Sequence, residues 1–152
     1  MKNLGTVTLE TERLILRKTR QNDAEQMFRN WANNERVTKY MTWPPYESVE
    51  QLETTYHKFL LDNQGKPDFY DWIIELKDIC EPIGAISVVQ LRENIEAATI
   101  GYCLGYNWWH KGIMSEAFKE IIRFLFENVG LNRIEAYHDP RNPHSGDVMK
   151  KR

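Results

Sequence analysis

The sequence predicts a single α/β (α+β) domain in which a mixed, mostly antiparallel central sheet is flanked by helices. Short apolar or alternating runs, which are typical of strands, are interspersed with longer runs whose apolar residues recur at helical spacing. A chain of 152 residues has the size of one domain with its own core. We expect strands over residues 14–17, 72–76, 83–91, 96–104 and 133–138, and helices over 22–33, 48–62, 115–128 and from 142 onward.

Capping and turn residues set the boundaries of the predicted helices. Asn22 with Glu25, and Ser48 with Gln51, are capping-box-like pairs whose side chains can satisfy free N–H groups of a first helical turn. Gly130 is placed to end the helix over 115–128. The apolar stripe of the first helix consists of Ala24, Met27, Phe28 and Trp31.

The strand over 96–104 has two distinct faces, because successive side chains of a strand point to opposite sides of the sheet. A glycine inside a strand often marks a bulge or the close approach of a ligand, and Gly101 and Gly105 lie at the end of this one. One face carries Ile100, Tyr102 and Leu104, and the other carries Thr99, Gly101 and Cys103.

Composition argues against several classes of partner. The chain has 20 Lys and Arg against 22 Asp and Glu, a net charge of −2, whereas proteins that bind nucleic acid or anionic membranes usually carry a basic excess. Cys80 and Cys103 lack the spacing of a disulfide framework or a zinc site. We therefore expect a cytoplasmic protein with no metal site, no nucleic-acid partner and no membrane partner.

Residues 101–117, with the sequence GYCLGYNWWHKGIMSEA, lead from a strand through a polar break to a glycine at the start of a helix. The first turn of a helix presents unpaired N–H groups and the positive end of the helix dipole, which together favour a phosphate or pyrophosphate. The residues alone fit an ordinary strand-to-helix connection equally well.

These motifs resemble the acetyl-CoA site of the GNAT superfamily of N-acetyltransferases. The resemblance rests on a strand followed by Trp-x-x-Gly-x-x-Ser-Glu-Ala and a helix, and on Asn142-x-x-Ser145 after a further strand. The opening segment 11–17, TERLILR, and the Ile100-Gly101-Tyr102 strand are similar to the branch that acetylates protein N-termini, including those of ribosomal proteins. The resemblance implies acetyl-CoA as co-substrate and a primary amine as acceptor.

The resemblance also implies a set of site residues. Ser145 is expected to protonate the leaving thiolate, with Tyr102 as the other hydroxyl in reach, and Asn142 is expected to bind the pantetheine amide. The backbone near Cys103, Leu104 and Gly105 is expected to bind the pantetheine arm and to polarise the thioester carbonyl. The pyrophosphate is expected to lie on the N–H groups of Gly112, Ile113, Met114 and Ser115, flanked by Trp109, His110 and Lys111.

Several of these residues have a sufficient structural interpretation as well. Lys111 fits a solvated loop charge, and Tyr102 fits an aromatic residue of the core. Asn142 fits a helix cap, followed by Pro143 at the first helical position, and Ser145 fits a first-turn serine.

The general base is not identified by the sequence. Many members of the family carry a glutamate just before the Ile-Gly-Tyr, and here that position is Thr99. Glu96 lies three residues earlier, which in a straight strand places it on the opposite face. A base acting through water, or an amine that arrives already deprotonated, stays open.

Similar enzymes add about two strands after the Asn-x-x-Ser helix, so we expect a single domain over 1–152 that is short at its C-terminus. An exposed sheet edge would then favour a homodimer. The expected acceptor is a protein N-terminal amine. A small-molecule amine such as a polyamine or an aminoglycoside, and a non-catalytic acyl-CoA-binding or interaction module, are the alternatives. The loop at Trp43 is either a rigid connector or a wall of the acceptor pocket.

Overall fold

A computed structural model describes residues 1–34 and 45–136. Its six-stranded sheet has the strand order β1-β2-β3-β4-β5-β6. Neighbouring strands pair antiparallel from β1 to β5, and β6 pairs parallel with β5, which confirms the predicted mixed, mostly antiparallel sheet. The strands are β1 (Leu9–Glu10), β2 (Leu14–Arg17), β3 (Asp71–Leu76), β4 (Glu81–Arg92), β5 (Ala97–Leu104) and β6 (Arg133–Ala136).

Helices flank the sheet in the three regions where helical periodicity predicted them and the structure describes the chain. A 3₁₀ turn, Gln21–Asp23, leads into the first helix, and π-helical turns, Phe28–Ala32 and Leu125–Val129, follow the first and the last. The second predicted helix is divided at Thr55, whose backbone angles of φ −121° and ψ −97° are not helical. The helices are α1 (Ala24–Met27), α2 (Val49–Thr54), α3 (Tyr56–Asn63) and α4 (Ile113–Phe124).

The capping interactions agree with the sequence at one helix and differ at another. Ser48 accepts the N–H of Gln51 at 3.0 Å, and the Gln51 side chain accepts the N–H of Glu47 at 2.7 Å, as predicted. The first helical segment instead starts after Arg20, whose N–H donates to the Asp23 carboxylate at 2.7 Å. The prediction of Asn22 and Glu25 as its capping pair was wrong, because the Asp23 carboxylate binds the Arg20 N–H and the helical segment starts two residues earlier.

The two faces of the sheet pack against different helices. On one face, Ile100 and Leu104 of β5 pack with α4 in the larger buried cluster. On the other, Ile73 and Ala85 pack with the α1 stripe and with α2 and α3, and Cys103 borders that cluster. The predicted alternation along β5 is confirmed. The side facing α4 and the side facing α1, α2 and α3 are called the α4 face and the α1 face below.

A buried ion-pair network on the α1 face links β2 and β3 to the 3₁₀ turn that precedes α1. Arg17 forms two hydrogen bonds with the Asp23 carboxylate, at 2.8 and 3.0 Å, and a third with Glu75 at 2.8 Å. All three residues are at least 93% buried. Burial alone would lower the pKa of Arg17, but the bonds to both carboxylates raise the pKa overall and keep the guanidinium charged.

The last predicted strand is described only as far as Ala136. Its continuation to His138, the helix from 142 onward and the Trp43 end of the loop before Ser48 lie outside the described residues. Within residues 1–34 and 45–136, no helix combines the length and the apolar content needed to cross a membrane.

Replacing Arg17 should cost much of the stability of the domain. In Arg17→Met the Asp23 carboxylate would stay buried without its cation, and Glu75 would keep only a longer contact with Arg20, at 3.7 Å. Breaking a buried ion pair on one side costs about 3–5 kcal/mol. The free energy of unfolding in urea measures this loss. Arg123→Met is the matched control, because the ion pair of Arg123 with Glu120 is largely exposed and such pairs contribute about 0–1 kcal/mol. Equal urea midpoints for the two variants would contradict the prediction.

Candidate functional site

The loop that leaves β5 is fixed closely against the sheet. The Gly105 N–H donates to the Ile83 carbonyl at 2.7 Å, and the Trp109 indole N–H donates to the Leu104 carbonyl at 2.7 Å. A Cβ on Gly105 would lie 2.6 Å from the Asn30 carbonyl oxygen and 2.6 Å from the ring of Trp108. Only glycine fits there, so the chain can turn toward α4 directly at the end of the strand.

Helix α4 starts at a glycine, as the motif predicted. Gly112 has φ +74°, the left-handed region that glycine adopts without strain. No side chain of the described residues caps the N–H groups of the first turn, at Ile113, Met114 and Ser115. Among the residues that the structure describes, a Cβ on Gly112 would meet only a guanidinium nitrogen of Arg13, at 3.7 Å. Free donors, the helix dipole and this cation therefore converge on one spot, which fits a pyrophosphate.

The Glu116 carboxylate joins this helix start to the beginning of the sheet. It accepts hydrogen bonds from the Thr11 hydroxyl at 2.5 Å, from the Arg13 N–H at 2.9 Å and from Arg13 Nε at 2.7 Å. Arg13 also donates to the Lys111 carbonyl at 3.1 Å. Burial would raise the pKa of Glu116, but these bonds outweigh it and lower the pKa, so the carboxylate stays charged. We call Thr11, Arg13, Lys111 and Glu116 the clasp.

The structure brings most of the sequence-predicted residues to one end of β5. Cys103, Leu104 and Gly105 lie beyond the last described pair of β5 with β6, which joins Ile100 and Ala136. Trp109 packs at the strand end, whereas the side chains of His110, Lys111 and Ser115 are exposed. His110 has φ +61°, an uncommon conformation for a residue other than glycine.

The structure does not place three of the predicted site residues in this group. Tyr102 lies on the α4 face, where its ring packs edge-to-face on Phe118 with centroids 5.0 Å apart. Asn142 and Ser145 lie outside the described residues, so their roles stay predictions. The glycine inside β5 suggested a bulge nearby. The structure has one on the neighbouring strand β4, at Val89, between the paired residues Val88 and Gln90.

A buried polar cluster on the α1 face was missed by the sequence reasoning. Asp71, the first residue of β3, is 4% exposed, and its carboxylate accepts a hydrogen bond from the Tyr56 hydroxyl of α3. Cys103 of β5 and Tyr46, which precedes α2, are close enough to interact electrostatically with this pair. The sequence shows Asp71 only as a charged residue beside a run of apolar strand residues, which does not indicate the cluster. We call Tyr46, Tyr56, Asp71 and Cys103 the acidic cluster.

Burial controls the ionisation of the acidic cluster. Desolvation raises the pKa of Asp71 to about 7, although the Tyr56 hydrogen bond partly opposes the shift. Burial, and then the charge of Asp71, raise the pKa of the Cys103 thiol to about 12, and the same two causes raise that of Tyr56. At neutral pH, Asp71 is therefore the member of the cluster that can exchange a proton.

Comparison with known proteins gives the family. Residues 13–152 match the family described as "Acetyltransferase (GNAT) domain". The chain belongs to the GNAT acetyltransferase family. It is 37% identical to "Uncharacterized N-acetyltransferase p20" of Bacillus licheniformis, over 91% of this chain and 76% of that protein. It is 30% identical to the ribosomal protein uS5-alanine N-acetyltransferase of Escherichia coli (strain K12), over 98% and 78%.

This GNAT chain is thus an acetyl-CoA-dependent N-acetyltransferase. Solved structures share its fold. The acetyltransferase (GNAT family) from Bacillus anthracis superposes with a TM-score of 0.78 at 24% identity, over 94% of this chain and 80% of that one. The microcin C7 self-immunity acetyltransferase MccE, solved with acetyl-CoA and AMP, superposes with a TM-score of 0.74 at 21% identity, over 91% of this chain and 76% of that one. These likenesses confirm the predicted GNAT-like architecture.

Adding a carboxylate at Gly112 should abolish tight CoA binding. In Gly112→Asp a negative side chain would occupy the space next to the free N–H groups, where phosphate oxygens are expected, and like charges in contact cost several kcal/mol. We expect the affinity for acetyl-CoA, measured by calorimetry, to fall about 100-fold. Gly65→Asp is the control, because no atom of residues 1–34 or 45–136 lies within 4 Å of its Cβ position. Wild-type affinity in folded Gly112→Asp would refute the pyrophosphate assignment.

Stability should depend on pH through Asp71. Its pKa is 3.8 when unperturbed and about 7 when folded, so between those values the folded protein binds more protons than the unfolded chain. The contribution of Asp71 to the free energy of unfolding should therefore fall as pH rises from about 4 to about 7.

Asp71→Asn tests this dependence because it keeps the shape of the side chain without its charge. The free energy of unfolding of the variant minus that of wild type should increase between pH 4 and 7 and then level off. Asp68→Asn, at an exposed position, should show no such change. A difference for Asp71→Asn that does not vary with pH would contradict the assigned pKa shift.

Proposed function

We propose that this GNAT enzyme transfers the acetyl group of acetyl-CoA directly to the α-amino group of a protein, as an acetyltransferase of the ribosomal-protein type. The observation that carries the proposal is the glycine-led, uncapped start of α4, with Arg13 beside it, at the end of β5. The net charge of −2 is consistent with a protein partner in the cytoplasm rather than with nucleic acid.

The donor side of the reaction is assigned to the clasp and to the strand end. The N–H groups of Ile113, Met114 and Ser115 would hold the pyrophosphate, with the Arg13 guanidinium adding positive charge. Backbone groups from Cys103 to Gly105 would align the pantetheine arm and polarise the thioester carbonyl. A hydroxyl, with Ser145 and Tyr102 as the predicted candidates, would return a proton to the thiolate.

The identity of the acceptor is supported by the relative of Escherichia coli that acts on ribosomal protein uS5. It matches 98% of this chain at 30% identity, and the clasp gives the shared opening motif a structural role, because Thr11 and Arg13 bind Glu116. A small-molecule amine is the second candidate. The acidic cluster favours it, since a buried carboxylate could pair with the ammonium group of a polyamine.

Acetyl transfer to a panel of amines tests the proposal. We would measure release of the CoA thiol with peptides that begin with free alanine or serine, with spermidine and with kanamycin. The same peptides with a blocked N-terminus are the matched control. The highest kcat/KM is expected for a free N-terminal peptide. Turnover of spermidine or kanamycin alone would favour the hypothesis of a small-molecule acceptor. CoA binding with no transfer to any amine would support a non-catalytic module.

A further inference from the structure

We propose that Asp71 is the general base of the reaction: its carboxylate accepts a proton from the acceptor ammonium group, and the Tyr56 hydroxyl holds it in position. This inference rests on the proposed function, because it assigns a residue to the acceptor side of that site. It fills the role for which the sequence identified no residue.

The first argument is the position of Asp71 on the sheet. Asp71 pairs with Ser87, which pairs with Gly101, and the next row joins Ile73, Ala85 and Cys103. Because pairs two residues apart face the same side, Asp71 lies on the α1 face with Cys103. Two strand spacings place its backbone about 10 Å from Gly101.

Small side chains separate Asp71 from the strand where the donor is assigned. Gly101 has no side chain and Ser87 has a short one, and the nearest described atom to a Cβ on Gly101 would be Val89 Cγ1, at 3.0 Å. Cys103 contributes its side chain to the acidic cluster and its backbone to the predicted pantetheine site. The donor site and the acidic cluster therefore share Cys103 of β5, and an amine bound beside this residue could reach both.

The second argument is that Asp71 differs from the other buried carboxylates. Asp23 and Glu75 are both paired with Arg17. Asp71 has no ion-pair partner among the described residues, and its Oδ1 finds no hydrogen-bond donor there. A buried acceptor without a donor costs free energy. An ammonium group of the substrate would supply both the missing donor and the missing positive charge.

The surroundings of Asp71 suit a proton acceptor. The main-chain N–H of Asp71 donates to the Thr6 hydroxyl, which is a neutral group. The titratable groups that face the carboxylate are Tyr56 from α3, Cys103 from β5 and Tyr46 from the loop before α2. All three are neutral near pH 7, because burial raises their pKa values. The carboxyl pKa of about 7 lies close to that of a protein α-amino group, about 7.7–8.0.

The proton balance of the step is complete. Asp71 takes one proton from the ammonium group, and the neutral nitrogen attacks the thioester carbonyl. The N–C bond forms, the C–S bond breaks, and the second proton passes from nitrogen to the departing thiolate through a hydroxyl group. The products are the acetylated amine and CoA thiol, and Asp71 releases its proton to solvent before the next cycle.

The pH dependence of kcat/KM tests this role, with acetyl-CoA and a peptide that begins with free alanine. Asp71→Asn should lower kcat/KM about 100-fold at pH 7, and the rate should recover toward the wild-type value above pH 9, where the free amine needs no base. Tyr56→Phe keeps the base but removes a hydrogen bond that lowers its pKa, so the acidic limb of the profile should move to higher pH. Asp68→Asn should match wild type throughout.

The outcomes separate this inference from the proposed function. If the wild type is active and folded Asp71→Asn is equally active with the same pH profile, the role of Asp71 is overturned and the proposed function stays intact. A loss that persists unchanged above pH 9 would also overturn it, because a structural defect is not relieved by deprotonating the substrate. Wild type that acetylates no amine would overturn both. Thermal melting of each variant shows that it is folded.

Discussion

The Glu116 carboxylate is the contact on which the geometry of the site depends. It lies in the first turn of α4 and is held by Thr11 and Arg13, which are more than a hundred residues earlier in the chain. The apolar face of α4 packs on the sheet, and this polar contact adds a link between the first turn of the helix and the segment before β2. The same Arg13 then presents its guanidinium to the open side of Gly112. One side chain thus orients the helix and supplies positive charge.

The strands, the helices and the helix start could be predicted because they depend on local pattern. Alternation along β5, the cap at Ser48 and the left-handed Gly112 all follow from neighbours in sequence. The first helix start was misplaced by a tertiary constraint. Asp23 binds Arg17 as well as capping the turn, so a buried ion pair decided which residue became the cap. Sequence spacing carries no information about such a pair.

The acidic cluster could not be predicted for a related reason. Its members come from β3, β5, α3 and the loop before α2, and pairing of three strands sets their proximity. Asp71 is recognisable in the sequence only as a charge beside apolar residues. Whether such a residue faces solvent, a cation or a tyrosine is decided by register and by the helix that covers it. Its neighbour Cys103 was expected only to contribute backbone groups.

The two buried acidic sites on the α1 face differ in their partners, and with the role proposed for Asp71 this difference would separate stability from reactivity. Arg17 forms ion pairs with Asp23 and Glu75 and holds both carboxylates tightly, so that neither is available to a substrate. Asp71 has a tyrosine in place of an arginine, and the hydroxyl orients the carboxylate without neutralising it. Because no cation lies beside Asp71 among the described residues, burial disfavours the charged form of its carboxylate. A proton acceptor requires that property, because a carboxylate held fully ionised by arginine would bind a substrate proton only weakly.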